Sequence, residues 1–144
     1  MTELKGRILA IDFGLKRIGL AVSDPLGITA QGLPTIVYEK VPEALSKLKD
    51  IIVDYNIIRL VVGFPLNMKG ESSAAAKKTK KFIDRLKDEI SLPTIFWDER
   101  LTTVQAERIM KEMGKSSSRN KTKLDQISAV LILQSYLARA HLTT

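Results

Sequence analysis

The stretch ILAIDFGLKRIGLAVSD, residues 8–24, decides the fold, because an acid, Asp12, sits near the end of a run that otherwise reads as a buried strand. Arg7 to Phe13 is nearly continuous in apolar residues, the pattern of a strand covered on both faces. Gly14-Leu15-Lys16-Arg17 is short enough for a hairpin turn, with Gly14 able to take a positive φ. Ile18 to Val22 then returns as a second strand. Burying a carboxylate without a partner is costly, so Asp12 demands one from the fold or from a ligand.

Outward from this hairpin, Asp24-Pro25-Leu26-Gly27 signals a turn, and Asp24 is read as its structural first residue. Ile28 to Tyr38 predicts a third strand, broken near Gly32 and Pro34. The period then changes. Pro42 suits the first turn of a helix, and Ala44, Leu45, Leu48, Ile51, Ile52 and Tyr55 recur at helical spacing. Ile57 to Phe64 reads as a strand and Asn67 to Glu71 as a loop. Ser72 or Ser73 can cap a helix running to about Ile90. Pro93 to Trp97 predicts a fifth strand that runs into Asp98-Glu99-Arg100. Thr102 with Gln105 has capping-box spacing for a helix over Thr103 to Met113, stopped at Gly114. Lys115 to Lys123 is a basic, serine-rich loop. Leu124 to Ala140 is a last helix, apolar around much of its circumference and so expected to be sandwiched. The expected fold is α/β, a five-stranded mixed sheet with helices on both faces.

The 144 residues predict one domain, 1–144, with no repeat and no linker. No apolar run approaches the roughly 20 residues that span a bilayer, and no cleavable signal pattern opens the chain. The chain has no cysteine, which excludes disulfides, thiolate zinc sites and a cysteine nucleophile. A cytoplasmic protein is the expectation. A formal charge of +7 and a pI near 9.7 favour a polyanionic partner.

Three acids stand out by position. Asp12 ends the first strand, Asp98 and Glu99 end the fifth, and Asp125 is read in the first turn of the last helix. The carboxyl ends of parallel strands converge on one sheet edge, where ligands usually sit. Gathered carboxylates repel unless a cation joins them, and hard oxygen donors suit magnesium or manganese. Two such ions about 3.5–4 Å apart can activate water and stabilise the leaving oxygen of a phosphodiester. That chemistry needs neither His nor Cys. Strand alternation sends Asp98 and Glu99 to opposite faces, and on the residues alone the choice between them stays open. Taken alone, Asp125 also reads as a charge favourable to a helix N-terminus.

Asp12-Phe13-Gly14-Leu15-Lys16-Arg17-Ile18-Gly19-Leu20-Ala21 with Ser23-Asp24 resembles the opening signature of the YqgF family, also called RuvX. Val62 to Gly70, Asp98 to Thr103, and Lys123 to Ala129 with Leu131 to Leu137 resemble its later motifs, in order. Phe64, Lys69 and Ser128 depart from the family's usual residues, and none is an expected metal ligand. The resemblance implies a ribonuclease H-like fold. It also implies a metal-dependent endonuclease, with Asp12 bridging two Mg2+ or Mn2+ ions and Glu99 and Asp125 each binding one. The implied substrate is structured nucleic acid, either precursor ribosomal RNA at the 5′ end of its 16S part or a four-way DNA junction. The implied protein is a monomer or a homodimer.

The basic residues fit either substrate. Lys115, Arg119, Lys121 and Lys123 crowd the approach to Asp125, Lys16 and Arg17 flank the other side, and Arg100 follows Glu99; all are candidate phosphate contacts. Lys77, Lys78, Lys80 and Lys81 read instead as a solvated helix face with Asp84, Asp88 and Glu89. Two further readings compete. An ATP-binding protein of the actin-like group would use the same hairpin on phosphate, but the chain is too short for paired domains. An inactive RNA-binding or ribosome-assembly module would gain nothing from acids facing phosphates.

Overall fold

β1 (Arg7–Phe13) and β2 (Arg17–Ser23) pair antiparallel, as the hairpin pattern predicts, with Asp12 opposite Gly19 and Phe13 opposite Ile18. The computed structural model describes residues 6–65, 73–98, 102–116 and 118–142, without the side chains of Thr103, His141 and Leu142. β3 (Ala30–Val37) pairs antiparallel with β2, and its ladder slips between Ile18–Ile36 and Leu20–Leu33, beside Pro34. Proline is tolerated there because β3 is an edge strand. After α1 (Val41–Asp54), β4 (Ile57–Phe64) joins β1 in parallel; after α2 (Ala74–Glu89), β5 (Thr94–Asp98) joins β4 in parallel. The order is β3-β2-β1-β4-β5, so the expected five-stranded mixed sheet forms. The expected loop at Asn67–Glu71 lies outside the described residues.

Alternation along the strands divides the core in two. Leu9 and Ile11 face one side, where they meet Leu45 and Leu48 of α1 and Phe82, Ile83 and Leu86 of α2. Ile8, Ala10, Ala21 and Val61 face the other side, against α4 (Lys121–Leu142) through Ala129, Ile132, Leu133 and Tyr136. α3 (Thr102–Glu112) packs on α4, burying Ala106 and Met110, so the last helix is sandwiched as its composition predicts. No described helix is long and apolar enough to cross a membrane.

Local chemistry fixes the ends of these elements. Ser73 caps α2: its Oγ accepts the Ala76 N–H at 3.1 Å and donates to the Pro65 carbonyl at 2.6 Å. Gly114, at φ 72°, turns the chain after α3 in the left-handed region. Thr102 is already helical, so α3 begins one residue before the expected Thr103. α4 begins at Lys121 and not at Leu124, which places Lys121 and Lys123 in the helix instead of the loop. Asp125 is therefore its fifth residue, past the first turn and past the free amides that favour an acid.

Two strand glycines let α4 approach the sheet. A Cβ at Gly19 would overlap the Asp125 carbonyl, and one at Gly32 would lie 2.6 Å from Gln126 Cγ. Gln126 in turn donates from Nε2 to the Leu33 carbonyl at 3.0 Å. Farther along α4, Tyr136 Oη accepts from Arg59 of β4 at 2.8 Å, and Ser135 Oγ accepts from Trp97 of β5 at 3.1 Å. The helix thus spans the whole sheet, seated on β2 and β3 at one end and on β4 and β5 at the other.

Replacing Gly19 with alanine forces backbone to move, and overpacking of this kind costs about 1–3 kcal/mol. Gly32→Ala meets only the flexible Gln126 side chain, and urea unfolding should rank it as the milder variant. The turn after β2 supplies a pH test. Asp24 Oδ1 accepts the Ile28 and Thr29 N–H groups at 2.7 and 2.8 Å. The hydrogen bond from Thr29 is the main cause holding this carboxyl below its ordinary 3.8; partial burial opposes it, and the Ile28 bond assists. The stabilisation from a depressed carboxylate is complete above the unfolded value and is lost as pH falls through the folded one. Asp24→Asn should therefore flatten the acid limb of a stability-against-pH curve recorded below about pH 5.

Candidate active site

Asp12 lies near the carboxyl end of β1, half-buried, with Gly19 of β2 directly opposite. Residues opposite one another in an antiparallel pair project to the same face. The direction a Cβ would take at Gly19 leads to Asp125, so Asp12 and Asp125 share the α4 face of one sheet edge. Ile8 and Ala10, at alternate positions before Asp12, face α4 as well. The structure brings together two of the three expected acids, from positions 113 residues apart in sequence (125 minus 12).

Arg17 belongs to the same face, two residues before Gly19. Its Nε donates to Asp125 Oδ2 at 2.7 Å, with the two side chains 30% and 20% exposed. An arginine expected on sequence grounds to meet phosphate thus has a carboxylate partner within the fold. It places a positive charge beside Asp125 where two acids converge, which lowers the net negative charge of the edge.

Asp98 stands elsewhere. Trp97 packs on the α4 side, edge-on to Tyr136 with ring centroids 5.5 Å apart. Alternation then puts Asp98 on the opposite face with Phe96, whose ring meets Phe64 at 5.1 Å. Asp98 is accordingly on the wrong side of the sheet to join Asp12 and Asp125. Glu99 and Arg100 lie outside the described residues. Among the described residues, no three His, Cys, Asp or Glu side chains gather closely enough to hold a metal ion. The donor set that is described, two carboxylates, is of the hard oxygen type that suits magnesium or manganese.

The expected basic residues spread around this edge. Lys16 is exposed in the β1–β2 turn, and Lys115 and Arg119 are exposed between α3 and α4. That connection is held by its own bonds: the Ser116 carbonyl accepts the Asn120 N–H at 3.0 Å and Asn120 Nδ2 at 2.8 Å. Lys121 is exposed at the start of α4. Lys123 turns toward β3, its Nζ donating to Gln126 Oε1 at 3.0 Å. The β1–β2 turn is also pinned: Tyr38 Oη donates to the Gly14 carbonyl at 2.6 Å, and its N–H donates to the Lys16 carbonyl at 3.0 Å. Burial pushes the Tyr38 hydroxyl above its ordinary range, so it stays a neutral donor.

Gly19, Gly32 and Gln126 position the site, and reading the sequence for charged residues passes over them. The available signal was a glycine inside a strand, which often marks a close backbone approach. Ser23 is similar: buried, its Oγ accepts the Ile8 N–H at 2.9 Å where the β1–β2 ladder ends.

Residues 6–139 match the family model RuvX, described as a Holliday junction resolvase. A relative from Koribacter versatilis, named "Putative pre-16S rRNA nuclease", is 47% identical over 96% of this chain and 90% of its own length. A relative of the same name from Acetivibrio thermocellus is 49% identical over 91% of this chain and 94% of its own. Among solved structures, RuvC of T. thermophilus in complex with a Holliday junction substrate aligns with a TM-score of 0.57 at 13% identity, covering 94% of this chain and 96% of that one. The Fowlpox virus resolvase with Holliday junction DNA aligns at 0.55 and 18% identity, covering 93% and 98%. These likenesses show the fold, which is ribonuclease H-like.

Removing one partner of the Arg17–Asp125 pair leaves a half-buried carboxylate beside another. Fully exposed pairs contribute about 0–1 kcal/mol and buried ones about 3–5 kcal/mol when broken, so this intermediate pair should fall between. Arg17→Ala is expected to lower stability by about 1–2 kcal/mol in urea titration. The loss should shrink in the Arg17→Ala/Asp125→Asn double variant, which leaves no uncompensated charge.

Proposed function

The chain belongs to the RuvX (YqgF) family, and from that premise we propose that it is a divalent-metal-dependent endonuclease that trims the 5′ end of the 16S ribosomal RNA precursor. The observation that carries the reading is the juxtaposition of Asp12 and Asp125 on one face of one sheet edge, across Gly19. A pure binding module has no use for two carboxylates where phosphate must approach. Names of relatives at 47% and 49% identity favour precursor RNA. The family description favours a four-way DNA junction, and this is the second reading.

Asp12, Glu99 and Asp125 would hold Mg2+ or Mn2+ through carboxylate oxygens. When bound, such ions lower the pKa of a water molecule and neutralise the leaving oxygen. The remaining work falls to the chain's own side chains. Arg17 steadies Asp125 and keeps a positive charge at the edge the scissile phosphate must reach. Lys16, Arg100, Lys115, Arg119, Lys121 and Lys123 hold the phosphate backbone on either side, a role that sets register and not sequence preference. The reaction takes place in the cytoplasm. A precursor end is within reach of a monomer, whereas a two-fold symmetric junction calls for a homodimer.

The test is a side-by-side cleavage assay on precursor 16S RNA and on four-way junctions, with magnesium and with manganese. Asp12→Asn and Glu99→Gln should each lower the cleavage rate by more than about 100-fold, beyond the range of substitutions behind the ligands. Asp98→Asn, on the opposite face, should cut like the unaltered protein. Retained cleavage by Asp12→Asn sinks the mechanism, and cleavage of junctions alone transfers the assignment to the second reading.

A further inference from the structure

Phe13, the residue after Asp12, faces the other side of the sheet, and there the same strand end borders a groove. Phe13, Leu15 and Phe82 form its apolar floor, and Lys78, Lys81 and Arg85 line it in a cavity of about 240 Å³. A second hollow of about 230 Å³ shares Phe13, Leu15 and Lys78, so the two run together from the end of β1 along α2. The floor is rigid. Phe13 stacks on Phe82 with centroids 4.5 Å apart and planes 26° from parallel, and Tyr38 pins the turn that carries Leu15.

Two details distinguish this groove from ordinary surface. Leu15 is 62% exposed although it sits on a turn held by two hydrogen bonds. The lysine run on α2 is exposed throughout, as expected of a solvated face, but its cations differ in their partners. Lys80 pairs with Asp84 and Lys49 pairs with Glu89, while Lys78, Lys81 and Arg85 make no ion pair among the described residues. Those three recur at i, i+3 and i+7, which aligns them as one stripe along the groove. Among the described residues, no acid lines either hollow. Beyond Arg85 the neighbouring depression includes Asp88 and Glu89, so the positive stripe ends there and fits only a short length of polyanion.

We propose that this groove binds an unpaired stretch of the substrate strand next to the scissile phosphate, with a base against Phe13 and Leu15 and its phosphates along Lys78, Lys81 and Arg85. An apolar floor beside aligned cations is the arrangement that single-stranded nucleic acid recognises. Successive residues of β1 then serve two ends: Asp12 faces the α4 side, where cleavage is assigned, and Phe13 faces the side that holds the strand. The inference rests on the assignment of cleavage to Asp12, Glu99 and Asp125.

The experiment compares a hairpin RNA carrying a short single-stranded tail with the same hairpin cut blunt, by fluorescence anisotropy in EDTA across roughly 50–200 mM KCl, where phosphate contacts show their salt dependence. The triple variant Lys78→Ala/Lys81→Ala/Arg85→Ala should bind the tailed RNA at least roughly ten-fold more weakly, with a salt slope smaller by about 2, since each single-strand phosphate contact contributes about 0.7. Binding of the blunt hairpin should change little. Leu15→Ala, an exposed change that leaves the core intact, should weaken only the tailed RNA, by roughly five-fold or more. Equal affinity of the triple variant and the unaltered protein for tailed RNA, with an unchanged salt slope, overturns the proposal. Equal weakening of both RNAs overturns it as well, because it reduces the stripe to general charge. Cleavage by Asp12→Asn separates the two failures: if that variant is inactive while the groove variants bind normally, the groove fails alone; if it still cuts, the assignment of the cleavage site fails too.

Discussion

The approach of the α4 backbone to β2 at Gly19 is the constraint on which the rest of the site depends. A side chain at that position would meet the Asp125 carbonyl, so the absence of one sets how closely the helix lies on the sheet. Because Gly19 pairs with Asp12, the same contact also fixes the distance between two acids that are remote in sequence. The helix is held to this placement from its other end by Arg59–Tyr136 and Trp97–Ser135, and from the side by Gln126 on Leu33. Interior packing is dense and passes displacement on, so moving the helix at either end would shift Asp125 against Asp12.

Electrostatics then decides whether the arrangement can persist. Two carboxylates converging on one edge oppose each other, and each also loses hydration where the strand end is half-buried. Arg17 offsets this from within the chain, by way of the same hairpin that carries Asp12. The pair is open enough to solvent that its contribution to stability is modest; its weight lies in where it holds Asp125. The charge-assisted hydrogen bond from Arg17 Nε to Asp125 Oδ2 favours orientations of the carboxylate that keep that oxygen on the guanidinium.

Much of this was legible in the sequence. Period-2 and period-3.6 patterns placed the five strands and four helices to within a few residues, because each buries one regular face. Asp12 was legible because a charge in an apolar strand calls for a reason. Helix starts were less so: α4 begins three residues early because Asn120 and Ser116 bond to each other before it, an arrangement no periodicity announces. Nor could composition place Asp98 on the face opposite Asp12, or show that Arg17 turns to Asp125. Both depend on which face a strand residue takes, and that requires the sheet. The lysines of α2 are exposed, as a solvated face requires, and Lys80 pairs with Asp84 within the helix; that Lys78, Lys81 and Arg85 border an apolar hollow beside Phe13 is visible only once α2 lies on the sheet.

The end of β1 gathers these consequences in three consecutive residues. Alternation sends Asp12 to the α4 side and Phe13 to the α1/α2 side, and Gly14 then turns the chain under the Tyr38 hydroxyl. A strand of nucleic acid crossing this edge would pass from the acids to the basic groove without leaving a few residues of rigid backbone. Rigid placement matters because hydrolysis at a fixed pair of carboxylates tolerates little error in where the phosphate stands. Phosphate contacts on a mobile loop could supply affinity but could not hold register to that tolerance, whereas contacts on α2 are referred to the acids through the Phe13–Phe82 stack. The physical economy of the site is that one strand terminus, fixed by a glycine on one side and a tyrosine on the other, presents both the acids and the floor of the groove.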